Sequence, residues 1–156
     1  MRVMSRIFVL LGCVALFTSC CIAKTGKKDE LKCLLWQDGK ATELAAADSL
    51  AAIALSLLAS ADDELRLLVT PELTQGILDH DTALEVVFPS LITADTAFGV
   101  KHQIRRLLIP LSGEYGPPED LASAIIFFGD DGWITGPNQN NFARPELLKM
   151  LELLSG

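Results

Sequence analysis

Three apolar runs decide the fold of this chain: ALEVVF at residues 83–88, IRRLLIPL at residues 104–111 and ASAIIFF at residues 122–128. Each run has the length of a strand and is rich in the aliphatic and aromatic residues found in sheets. Loops with glycine and proline separate them, so they predict three strands of one sheet. Their nearly continuous apolar character is typical of central strands covered on both faces.

The residues before these runs predict further strands and two helices. Asp38 and Gly39 lie between two short apolar runs, which is a strong signal for a β-hairpin. Leucine and alanine recur at spacings of three and four over residues 45–59 and predict a helix with a wide apolar face. Residues 65–69 predict one more strand. Thr70, followed by proline, is a suitable cap for a second helix.

The C-terminal residues predict a third helix. Apolar residues recur at helical spacing from Leu147 to Leu154, with Asn141 as a cap and Pro145 tolerated in the first turn. Consecutive strands without crossover helices favour antiparallel pairing. We therefore predict one α+β domain over residues 31–156, in which a mostly antiparallel sheet of about five to six strands packs with three helices.

The first residues have the pattern of a secretory signal. Arg2 and Arg6 precede an apolar run from Ile7 to Phe17, and small polar residues follow it. A transmembrane helix needs about 20 apolar residues, whereas this run has 11. The pattern therefore predicts that residues 1–19 are a signal peptide and that the protein is exported.

Residues 16–20 read LFTSC and resemble the lipobox of bacterial lipoproteins, in which the cysteine becomes the lipidated first residue of the mature chain. The resemblance implies lipidation of Cys20, a tether over residues 20–30, and anchoring on the periplasmic or outer-membrane side of a bacterial envelope. Two or more acyl chains would hold the protein stably on the membrane. Cleavage after Ala23 is the alternative, and it would give a secreted protein.

The charge of the mature chain argues against nucleic acid as a partner. The sequence has 13 Lys and Arg against 20 Asp and Glu, and the signal removes Arg2 and Arg6 but no acidic residue, which leaves a net charge near −9. Nucleic-acid affinity depends mainly on Lys and Arg at phosphates. We expect an envelope protein as the partner instead.

The cysteines leave two alternatives open. An oxidising compartment permits a disulfide between Cys21 and Cys33. Alternatively, Cys33 is a buried thiol that behaves as a small apolar residue.

The common catalytic signatures do not occur in the sequence. His80 and His102 are the only histidines, and neither lies in a metal-ligand spacing. The chain has no Gly-x-Ser-x-Gly motif and no phosphate loop or dinucleotide fingerprint. We therefore predict no catalytic residue, no metal site and no cofactor.

The segment at residues 129–141 is rich in glycine, acids and amides, and it carries one large aromatic residue. Loops on rigid strands often carry binding groups, and aromatic residues anchor interfaces. The composition predicts a contact site for a protein partner formed by Trp133, Asp130, Asp131, Asn138 and Asn140. The alternative is that Trp133 folds back onto the sheet.

Two classes of function follow. The first is an envelope-anchored interaction module, such as an inhibitor, an immunity-like protein or an assembly factor. The acidic charge, the predicted tether and the absence of the common catalytic signatures favour this class. The second is a small envelope hydrolase that uses Asp, Glu or Ser in residues 112–115 and 130–141.

The first testable prediction concerns the anchor. We expect Cys20→Ala to accumulate as unprocessed precursor and to lose metabolic labelling by fatty-acid analogues, because the acylated sulfur is removed. Cys21→Ala, one residue away, is the matched control and should be processed and labelled normally. Normal labelling of Cys20→Ala would contradict the prediction.

Overall fold

The computed structural model describes residues 30–156. The predicted signal peptide, Cys20 and all but the last residue of the predicted tether lie outside the described residues. The elements within them are β1 (Lys32–Gln37), β2 (Lys40–Glu43), α1 (Ala47–Ala59), β3 (Asp63–Glu64), α2 (Pro71–His80), β4 (Ala83–Asp95), β5 (Lys101–Pro110), β6 (Ala124–Gly129), β7 (Asn138–Asn140) and α3 (Arg144–Ser155).

The strands form one antiparallel sheet in the order β2-β1-β4-β5-β6-β7-β3. The predicted α+β class with an antiparallel sheet and three helices is confirmed. The sheet has seven strands, whereas five to six were expected. The additional strand is β7, which lies inside the segment that was expected to be a loop. It lies between β6 and β3, and its residues are Asn138, Gln139 and Asn140, so it lacks the apolar run that marks the other central strands.

The expected strand at residues 65–69 is wrong. The paired residues are Asp63 and Glu64, just before the apolar run. Leu65 and Leu67 still exchange backbone hydrogen bonds with Pro137 and Gly136, at 2.9 and 3.1 Å. The chain then leaves the sheet edge and begins α2, so the run provides core contacts instead of a paired strand.

Two of the predicted turn and cap signals are confirmed. Asp38 and Gly39 both have positive φ, 49° and 73°, as a type I′ hairpin turn requires. Thr70 caps α2, because its side-chain oxygen accepts a hydrogen bond from the backbone N–H of Leu73 at 3.2 Å.

The predicted cap of α3 is wrong. The N-cap is Ala143, which makes no side-chain capping bond, although Pro145 does lie in the first turn. Asn141 is engaged elsewhere: its backbone N–H donates to Asp62 Oδ1 at 2.8 Å. This bond holds the chain between β7 and α3 against the end of α1, and it lowers the pKa of the Asp62 carboxyl group.

The central strands are covered on both faces, as predicted. Side chains alternate along a strand, so Leu107 of β5 and Phe128 of β6 pack with α1 and α3. Leu108 and Phe127 point the other way and pack with α2. Full burial of one such side chain stabilises the fold by about 1.5–3 kcal/mol. This double coverage explains why the apolar runs are nearly continuous.

The hairpin formed by β4 and β5 bends back over the sheet. The register shifts between Val87 and Ile92, which is typical of a bulge that bends a strand. Beyond the shift, the His102 ring lies 5.2 Å from the ring of Phe128. At the hairpin tip, the backbone N–H of Ala97 donates to Asn138 Oδ1 at 2.8 Å. The hairpin therefore closes one end of the core.

Cys33 lies in the core beside α1. Its side chain is fully buried, and its sulfur lies 3.4 Å from the carbonyl oxygen of Ala47. The expected burial of Cys33 is confirmed. Cys21 lies outside the described residues, and the disulfide between them stays a prediction. Burial raises the pKa of the Cys33 thiol from 9.0 to about 11, because the apolar surroundings disfavour the thiolate.

This pKa predicts a stability change at alkaline pH. Above pH 9 the unfolded chain loses the thiol proton while the folded chain keeps it, so stability falls as pH rises from 9 towards 11. Between pH 8.5 and 10.5, we expect urea denaturation to show a loss about 1.5 kcal/mol larger in wild type than in Cys33→Ala. Equal losses in the two proteins would contradict the burial of the thiol.

Candidate functional site

The face of the sheet under α2 contains a buried carboxylate. Glu85 of β4 is 4% exposed, and its two oxygens have different partners. Oε2 accepts a hydrogen bond from Trp36 Nε1 at 2.9 Å, and Oε1 accepts one from the guanidinium of Arg106 at 2.5 Å. Because burial of an unpaired charge is costly, these two partners make Glu85 compatible with the core.

Arg106 connects this pair to Trp133. The centre of its guanidinium group lies 4.1 Å from the centroid of the Trp133 ring, within the range of a cation–π interaction. The Arg106 side chain is 26% exposed, so this contact is largely shielded from water. A continuous series of contacts therefore leads from β1 to the surface through Trp36, Glu85, Arg106 and Trp133.

The backbone holds Trp133 back against the sheet. Trp133 forms a bridge with Gly129, and the N–H of Ile134 donates to the carbonyl of Phe128 at 2.9 Å. A side chain at Gly129 would collide with the carbonyl oxygen of Gly132, so only glycine permits this tight turn. The ring is half-buried among the residues that pack with α2.

A cavity of about 390 Å³ opens between α2 and the loop at residues 130–133. We call it the α2 groove. Val69, Pro71 and Leu78 line it on the helix side, and Arg106, Asp131 and Trp133 line it on the sheet side. The groove thus combines apolar walls with one shielded cation and one exposed carboxylate.

The two predicted acids of the loop occupy different positions. Asp131 is exposed and lines the α2 groove. Asp130 is half-exposed, and its Oδ1 lies 3.6 Å from Arg105 Nε. That ion pair is too long for a hydrogen bond, and exposed pairs of this kind contribute about 0–1 kcal/mol.

The two predicted asparagines lie inside the protein. Asn138 is 2% exposed and Asn140 is 1% exposed. Asn138 accepts from the hairpin tip, while Asn140 Nδ2 donates to the carbonyl of Leu57 at 3.1 Å and to Ser60 Oγ at 2.8 Å. Their amides connect β7 to α1 and to the β4–β5 hairpin. They support the loop and do not belong to its exposed surface.

The residues predicted for this site did not include Glu85, Arg106 or Trp36. The sequence does carry a signal: a single Glu in the apolar run ALEVVF and two adjacent Arg near the start of the run IRRLLIPL. Charged residues are almost never fully buried unless they are paired, so each one that faces the core needed a partner. The choice of partner depended on the pairing register, which sets Val87 opposite Arg106 and Glu85 opposite Leu108.

The structure separates Asp130, at one end of the second loop of the hydrolase hypothesis, from residues 112–115. Residues 112–115 follow the end of β5 at Pro110, whereas Asp130 follows Gly129, which pairs with Arg106. Arg106 and the end of β5 at Pro110 are four residues apart, which is about 13 Å along the strand at 3.3 Å per residue. Ser112 Oγ is also engaged, because it accepts a hydrogen bond from the backbone N–H of Thr82 at 2.8 Å.

No helix among residues 30–156 is long and apolar enough to cross a membrane. In the same residues, no group of three or more His, Cys, Asp or Glu side chains is arranged to hold a metal ion.

Comparisons of the chain with protein-family models, with curated proteins and with solved structures give no match.

The buried pair predicts a large difference between two glutamates. Glu85→Ala leaves the Arg106 charge shielded from water without its partner, so we expect a loss of about 3–5 kcal/mol in the free energy of unfolding. Glu43→Ala is the matched control, because Glu43 pairs with Lys32 in an exposed position at 3.8 Å. Its loss should stay within about 1 kcal/mol. Equal losses in urea denaturation would contradict the proposed role of Glu85.

Proposed function

We propose that this protein is an envelope-anchored lipoprotein that acts as a protein-binding module. Its contact surface is the loop at residues 130–133 together with the adjoining α2 groove. The observation that carries the proposal is the contact between Arg106 and Trp133 at this groove. An inhibitor, an immunity-like protein and an assembly factor are the kinds of module that the proposal includes.

The Arg106 contact supports a binding role because it fixes the position of the Trp133 ring before a partner binds. Binding requires the ordering of interface side chains, which costs about 0.5–1.5 kcal/mol for each mobile one. Trp133 is already held by the turn after β6 and by the guanidinium group. Tryptophan and arginine are also enriched among the residues that dominate binding energy.

The anchoring part of the proposal depends on the sequence. Residues 16–20 resemble a lipobox, and a short polar segment follows Cys20. Glu30, the first described residue, is exposed and leads directly into β1. A chain that enters the domain at its surface is compatible with a tether over residues 20–30. We propose the periplasmic or outer-membrane side of the bacterial envelope as its location, with the membrane bound through lipid.

The proposal predicts that Trp133→Ala weakens binding. The partner would first be identified by photo-crosslinking in intact envelopes, with a photoreactive residue at position 131 of the full chain. Because Trp133 is the aromatic anchor of the surface, we expect its truncation to weaken affinity for that partner by about 2 kcal/mol or more, roughly 30-fold. Titration of the purified proteins in detergent gives the measurement.

The control separates binding from folding. Phe127→Leu loosens the same apolar cluster, but Phe127 is fully buried, so the surface is unchanged. We expect this variant to lose stability and to keep its affinity. If both variants lost affinity in proportion to their loss of stability, Trp133 would be a core residue and not a contact residue.

A further inference from the structure

The α2 groove continues along the outer side of its helix. A second depression of about 480 Å³ adjoins it, and both are lined by Pro71 and Gln75. Val69, Leu78 and Trp133 give the first part an apolar wall. Together they form an extended surface that can receive a side chain with a long alkyl stem and the chain next to it.

The uncompensated charges along this surface are negative. Asp131 lines the groove, and Glu72 and Asp79 line the adjoining depression. Within the described residues, the lining of these depressions includes no lysine and one arginine, Arg106. The charge of Arg106 is already compensated by Glu85. Three carboxylates therefore face a partner without a compensating cation in the lining.

The pKa of Glu72 is lowered from its ordinary value, first by a hydrogen bond from its own backbone N–H and then by one from the Thr70 hydroxyl. A carboxylate near a helix N-terminus is also stabilised by the helix dipole. Asp79 accepts a hydrogen bond from Gln75 Nε2 at 2.8 Å, which fixes its position on the same side of α2.

We propose that the α2 groove receives a lysine- or arginine-bearing segment of the protein partner. The inference rests on the proposed function and specifies the chemistry of that partner. The alkyl stem of a basic side chain packs on apolar walls while its charged head stays near water, and here the head meets Asp131. Complementary charge also accelerates encounter and excludes acidic partners.

An acidic segment does not fit the same surface. Its carboxylate would approach three others and would have to compete with Glu85 for Arg106. Glu85 is buried and bonded to Trp36 as well, so its displacement would leave a buried charge without its partner.

Two labelled peptides test the inference, hexalysine and hexaglutamate. Their binding to the full chain in non-ionic detergent micelles would be followed by fluorescence anisotropy at two salt concentrations. The groove variant is Asp79→Asn with Asp131→Asn. The matched control is Glu146→Gln with Glu152→Gln on α3. This helix packs on the opposite face of the sheet, and the control variant changes the net charge by the same amount as the groove variant.

We expect hexalysine to bind, to bind more weakly at high salt, and to lose about fivefold or more of its affinity in the groove variant, as two charge pairs near a surface imply. The control should change by less than about twofold. Equal losses in the two variants would show attraction to the whole acidic protein and overturn the inference. Absence of hexalysine binding, or preferential binding of hexaglutamate, would also overturn it.

The outcome is separable from that of the proposed function. If the crosslinked partner still required Trp133 but the groove variant bound hexalysine as wild type does, the inference would fail and the binding function would stand. If Trp133→Ala kept full affinity for the partner, the proposed contact surface would fail whatever the peptides showed.

Discussion

Burial of both faces of β4, β5 and β6 is the constraint on which the rest of the structure depends. A strand in this position has no solvent-facing side, so neighbouring residues such as Leu107 and Leu108 must each find a core. α1 and α3 supply one core and α2 supplies the other. The positions of all three helices follow from this requirement, because an exposed apolar face would remain if any of them were absent.

The same constraint explains where polar groups occur inside the protein. Glu85 lies on a buried strand and is bonded to two partners, while Asn138 and Asn140 use their amides to join β7 to its neighbours. Buried polar groups are tolerated when they are satisfied, and satisfied networks fix one arrangement of the core. The network of contacts around Glu85 reaches the surface at Trp133. Residues that stabilise the core therefore also belong to the candidate contact site.

This sharing has a functional consequence. A contact residue that is held by the core presents its ring in one orientation, and less entropy is lost when a partner binds. Trp133 is held by a turn that only Gly129 permits and by the Arg106 guanidinium.

The sequence by itself determined the elements whose causes are local. Nearly continuous apolar runs located β4, β5 and β6, helical spacing located α1 and α3, and the Thr-Pro start signal located α2. The hairpin turn at Asp38 and Gly39 followed from the need for positive φ. Strand β7 and the cap of α3 were decided by tertiary structure. β7 gains its hydrogen bonds from β3 and β6, and Asn141 bonds to Asp62, which is distant in sequence. The ion pair of Glu85 with Arg106 likewise depends on the register between two strands, and residue spacing along the chain does not encode that register.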